Sequence, residues 1–206
     1  MEKHEEQLAA IQEMRDMMDQ ATRFKSISGL SGILAGIITF VCLYTIYLVT
    51  GISPFESEAL DRMWLSSSQA LILCFISLLI ICIGIGFYLA MRNANLSGKS
   101  AWDNAAKRLA FSLAIPVFAG GIFSMLLARF GLIAIAAPAT LLFYGMGLVS
   151  ASKYTLDAVR TVGLLFVFLG LLATYFLAYG LLIWTLGFGL LHVIYGFIIY
   201  VKYERA

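Results

Sequence analysis

The chain has 206 residues, 61% of them hydrophobic and 13% charged, about half the charged share of roughly 25% in an ordinary globular domain. A soluble fold of this length cannot hide so much apolar surface, and a net charge of +2 carries no nucleic-acid signature. Cys42, Cys74 and Cys82 fall inside apolar segments, which argues against a disulfide framework. They read as small packing residues without ligand partners at metal spacing.

Residues 1–26 read as a cytoplasmic amphipathic leader helix. Leu8, Ile11, Met14, Met18 and Ala21 recur at spacings of three or four and form an apolar stripe. Glu5, Glu6, Glu13, Asp16 and Asp19 occupy the other faces. A helix that lies on an anionic leaflet needs a basic face, yet this one has six acids against four bases. It is expected to pack on the protein's own loops, or to pair with a second subunit or another protein. The alternative is a solvated helix with no partner.

Residues 27–206 form a six-span transmembrane domain, with spans at about 27–50, 65–91, 109–128, 130–150, 161–179 and 181–201. Each is long enough, at about 1.5 Å per residue, to cross roughly 30 Å of hydrocarbon. The predicted fold is therefore all-α, an integral membrane six-helix bundle. In span one, Ser28, Gly32 and Gly36 stack at every fourth residue, a face on which two helix backbones can approach closely. Its partner is another span of the chain or a second subunit. Pro116 in span three and Pro138 in span four each remove a backbone donor and predict kinks.

Between spans two and three, Leu96-Ser97-Gly98-Lys99-Ser100 resembles the end of a phosphate loop. Asn93 stands where that pattern needs Gly, and no strand precedes it. Ser100 and Asp103 read better as a helix cap. Spans three and four meet at Arg129–Gly131, and spans five and six at Tyr179–Gly180, as tight hairpins. Basic residue, aromatic-Gly turn, Tyr-Gly and Lys-Tyr recur in that order through spans 3–4 and 5–6, predicting a two-helix hairpin repeat.

Twelve of the fourteen Lys and Arg residues lie on one side of this threading; only Arg62 and Arg129 lie on the other. Short loops rich in Lys and Arg stay cytoplasmic, so both termini are expected inside. A cleaved signal peptide is not expected, since the amino terminus is acidic and the first apolar run too long.

His192 stands near a span midpoint, where an ionisable group is a functional candidate. On a regular helix Thr185, Phe188, His192 and Tyr195 share a face. With Tyr144 and Thr140, they form the candidate ligand or proton site. The structural alternative is a neutral histidine bonded to a Tyr or Thr on a neighbouring span, with Tyr144, Tyr195, Trp184 and Thr140 in interhelical hydrogen bonds. No Ser-His-Asp set, carboxylate pair or HExxH string occurs, so no catalytic residue, cofactor or metal is expected. A lipid-modifying enzyme would have only Asn93, Asn95, Lys99 and Asp103 at the cytoplasmic rim.

Three strings stand out: Ser28-Gly29-Leu30-Ser31-Gly32, Ala137-Pro138-Ala139-Thr140-Leu141-Leu142-Phe143-Tyr144-Gly145 and Ser150-Ala151-Ser152-Lys153-Tyr154-Thr155-Leu156. Tyr179-Gly180-Leu181-Leu182-Ile183-Trp184, Gly187-Phe188-Gly189-Leu190-Leu191-His192 and the Lys202-Tyr203-Glu204-Arg205 tail belong with them. Together they resemble a family of small multi-pass bacterial inner-membrane proteins with no assigned activity. The resemblance implies the architecture and adds no site residue. The expected function is a non-enzymatic accessory, regulatory or sensing role in the bilayer, with a small-solute transporter or channel near His192 as the alternative.

Overall fold

The computed structural model describes residues 7, 11, 28–96, 102 and 104–204. Of the leader helix only Gln7 and Ile11 are described, both helical and exposed; the rest of that helix, residues 97–100 and Asp103 lie outside the described residues. Among the described residues, six helices are long and apolar enough to cross a membrane.

Helix α1 spans Gly29–Thr50 and stops at Gly51, whose φ of 69° lets its N–H cap the carbonyl of Tyr47 at 2.8 Å. Gly tolerates this left-handed conformation without a Cβ clash. Helix α2 runs over Ala59–Leu96, α3 over Asn104–Arg129 and α4 over Ile133–Ala151. A 3-10 turn, Ser152–Tyr154, leads into α5, Asp157–Tyr175. The last span is composite: a 3-10 turn Leu177–Tyr179, α6 at Gly180–Thr185, a π segment Leu186–Leu191, α7 at His192–Ile199, and a closing π turn Tyr200–Glu204.

The helices outrun the apolar segments at several ends. Helix α2 begins at Ala59 rather than near residue 65, since no Gly or Pro in residues 56–64 stops it and Leu60 and Met63 are buried. Helix α3 starts at Asn104 and carries Lys107 and Arg108 in its first turns. Helix α5 ends at Tyr175, because Phe176 leaves helical geometry at φ −107° and ψ 61°. The break inside α2 falls at Ser67, with φ −158° and ψ 76°. Pro116 and Pro138 sit within α3 and α4.

Small residues set the packing. Helix α4 lies between α3 and α5 and also touches α6, while α1 lies between α2 and the last span. A Cβ on Gly145 of α4 would stand 2.7 Å from the Gly163 carbonyl of α5, and one on Gly147 3.1 Å from Leu113 of α3. Along α1, Gly29, Gly32 and Gly36 face the last span. A Cβ on Gly36 would meet the Gly189 carbonyl and Val193 at 2.5 Å, and one on Gly32 the Gly196 Cα at 3.0 Å. Ser28 is buried at the end of the same seam. Phe166, Ile46, Met63, Leu71 and Leu141 are enclosed at the centre, whereas α2 and α3 leave apolar residues such as Leu73, Ile80, Phe111 and Phe118 exposed.

The Glu58 N–H donates to the Ala178 carbonyl at 2.6 Å, which ties the connection after α1 to the start of the last span.

Candidate functional site

His192 opens α7, directly after the π segment. Its Nδ1 lies 3.4 Å from the Gly187 carbonyl oxygen and its Nε2 3.0 Å from the Tyr144 hydroxyl. A carbonyl can only accept, so Nδ1 carries the proton of a neutral ring. Nε2 then accepts from the tyrosine O–H. Both ring nitrogens are thus engaged, one within the last span and one across to α4.

Aromatic rings close around this pair. Phe188 stacks on the imidazole, with centroids 5.7 Å apart and planes at 14°, and Phe166 of α5 meets it edge-on at 5.2 Å. Tyr144 packs against Phe166 at 4.9 Å and Phe188 at 5.1 Å. Trp184 continues the stack beyond Phe188 at 4.8 Å and receives the edge of Phe75 from α2 at 5.2 Å. Such offset and edge-on contacts suit the ring quadrupoles and hold the imidazole in one orientation.

Thr140 stands one turn before Tyr144 on α4. Its Oγ1 accepts from Trp184 Nε1 at 3.0 Å and donates to the Ala137 carbonyl at 2.8 Å. Two polar links, Tyr144–His192 and Thr140–Trp184, therefore fasten α4 to the last span. Proline at position 138 leaves the Ala134 carbonyl, six residues before Thr140, without its usual helical donor.

Thr185 belongs elsewhere. Its hydroxyl donates to the Leu181 carbonyl at 2.8 Å, and the side chain lines a slot facing α1. The last span carries two parallel stripes: Trp184, Phe188 and His192 look toward α4 and α5, whereas Thr185, Gly189 and Val193 look toward α1. Both stripes keep the ordinary spacing of four, and Thr185 and His192 stand at the border between them, so a shared sector of the helical wheel does not give them a shared neighbour. Tyr195, like Tyr144, is half-buried against the main core, and its hydroxyl is enclosed. Direct contact unites His192 with Tyr144, and Thr140 stands one turn away on α4. The partners that sequence reasoning missed are Phe166 and Phe75, whose rings have no marking in their apolar runs.

The cysteines pair loosely across α1 and α2, with the Cys74 thiol 3.4 Å from the Cys42 carbonyl. All three are free thiols. Among the described residues no group of three or more His, Cys, Asp or Glu side chains is placed to hold a metal ion. No family model, curated protein or solved structure matches the chain.

Proposed function

We propose that the chain is a multi-pass protein of the bacterial inner membrane with both termini in the cytoplasm, acting as a non-enzymatic accessory, regulatory or sensing component. The observation that carries the reading is the engagement of both His192 nitrogens by the protein itself, inside a ring of aromatic side chains. An imidazole so held fastens helices together and has no free lone pair for a substrate or ion. The resemblance to small bacterial inner-membrane proteins and the basic residues that fall on one side of the six-span threading support the location and orientation. The acidic leader helix supplies the surface for a protein partner or a second copy, and the two hairpins 3–4 and 5–6 stand as duplicated units.

A small-solute path near His192 is the second reading, favoured by the π segment at Leu186–Leu191, since π segments recur at functional sites. Reconstitution into proteoliposomes with a flux screen over ions, amino acids, sugars and amines separates the two. The accessory role predicts no flux above that of empty vesicles. A flux present in the natural chain and abolished by His192→Phe in a folded variant refutes it in favour of transport.

A further inference from the structure

We propose that a slot between the second half of α1, the connection that follows it and the start of the last span binds one acyl chain of a phospholipid with an amine-bearing headgroup. The slot has a volume of about 250 Å³ and is bounded by Phe40, Leu43 and Tyr44 on α1, Pro54 and Phe55 in the connection, and Thr185 opposite. Phe40 and Tyr47 bracket it along α1, a rise of roughly 10 Å. Eight carbons in extended form reach roughly 10 Å at single-bond lengths near 1.5 Å, so the slot's length matches part of a single acyl chain lying parallel to α1.

The polarity runs the same way. Phe40 and Leu43 line the inner part, while Ser53 and the Tyr47 ring stand at the end where α1 stops. Beyond that end Glu56 and Glu58 of the connection and Asp61 in the first turn of α2 stand against Arg62, whose guanidinium is already bound to Glu56 at 2.5 Å. Glu56 also accepts from the Ser53 N–H at 3.1 Å, which holds one carboxylate at the slot's mouth. An excess of carboxylates there repels an anionic headgroup and attracts an ammonium group. Phe40, Tyr44, Tyr47 and Phe55 are all substantially exposed, so the slot is open to a lipid chain from the side.

The proposal rests on the chain being embedded in a bilayer, and not on which way it faces. The test uses the full chain in vesicles of equal parts phosphatidylethanolamine and phosphatidylglycerol, with a diazirine on one acyl chain of one lipid or the other. After irradiation the adducts are mapped by mass spectrometry. Expected are adducts severalfold denser at Phe40, Tyr44 and Tyr47 than at Phe168 and Leu171, which are similarly or more exposed on α5. The ethanolamine probe should exceed the glycerol probe roughly fivefold, the equivalent of one charge near a membrane surface. Glu56→Gln with Glu58→Gln should bring the two probes level, and Ser53→Trp should thin the adducts at the slot while leaving those on α5. Adducts spread evenly over α1 and α5, or equal labelling by both probes in the natural chain, overturn the proposal. Both leaflets carry the probe, so a reversed orientation leaves the result intact, and failure to insert shows separately as loss of the protein from the vesicles.

Discussion

Removing one hydroxyl tests whether His192 and Tyr144 act as a unit. Tyr144→Phe deletes the donor 3.0 Å from Nε2 and leaves the ring volume against Phe166 and Phe188 unchanged. The remaining contact of the imidazole with Gly187 is long, at 3.4 Å, and cannot serve Nε2. The orphaned acceptor then costs ~1–3 kcal/mol. His192→Phe does the converse, leaving the Tyr144 hydroxyl without its partner while an aromatic ring still stacks on Phe188. The double variant leaves neither group orphaned, so its loss should be smaller than the sum of the single losses. A coupling of about 0.6–1.7 kcal/mol is expected, the range for interhelical hydrogen bonds within membranes. Reversible unfolding in mixed micelles by increasing dodecyl sulfate measures it, followed by helical circular dichroism and by the fluorescence of Trp184 beside Phe188. Additivity within about 0.3–0.5 kcal/mol refutes the clasp, and both singles at natural stability refute it more strongly.

Four further outcomes follow from the same contacts. Gly36→Ala should cost about 1–3 kcal/mol by overpacking, because its Cβ would stand 2.5 Å from Gly189 and Val193, whereas Gly84→Ala, with nothing within 4 Å, should gain up to about 1 kcal/mol of helix propensity; thermal unfolding in detergent compares them. Glu58→Gly should stabilise by roughly 1 kcal/mol in the same assay, since Glu58 holds φ at 56°, a left-handed conformation costly for a residue with a Cβ. Thr140→Val should lower stability by about 1 kcal/mol through the lost acceptor for Trp184 and should shift the tryptophan emission. In intact cells, a membrane-impermeant maleimide should label Ser57→Cys and leave Lys153→Cys unlabelled until the membrane is opened; the reverse pattern refutes the orientation.

How much of this was legible in the chain differs from one feature to the next, for physical reasons. The number of long apolar helices is written in hydropathy, because a span needs a minimum length of unbroken apolar sequence. Helix ends are not, because a helix stops where a backbone group finds another partner. Nothing in residues 56–64 interrupts α2, and Phe176 ends α5 within a run as apolar as its middle. The glycines at 32 and 36 announce a close approach without saying to what. That answer depends on Gly189, Val193 and Gly196 lying on one stripe of the last span. Those three follow ordinary helical spacing, so the local sequence permits the stripe, but only the packing of the bundle says that it meets α1. His192 and Tyr144 were legible as polar groups at depth, where each must find a hydrogen-bond partner. Their pairing, and the assignment of Thr185 to the α1 side, required knowing which neighbouring helix each stripe of the last span meets, and that is set by the packing of distant segments, α1 on one side and α4 and α5 on the other.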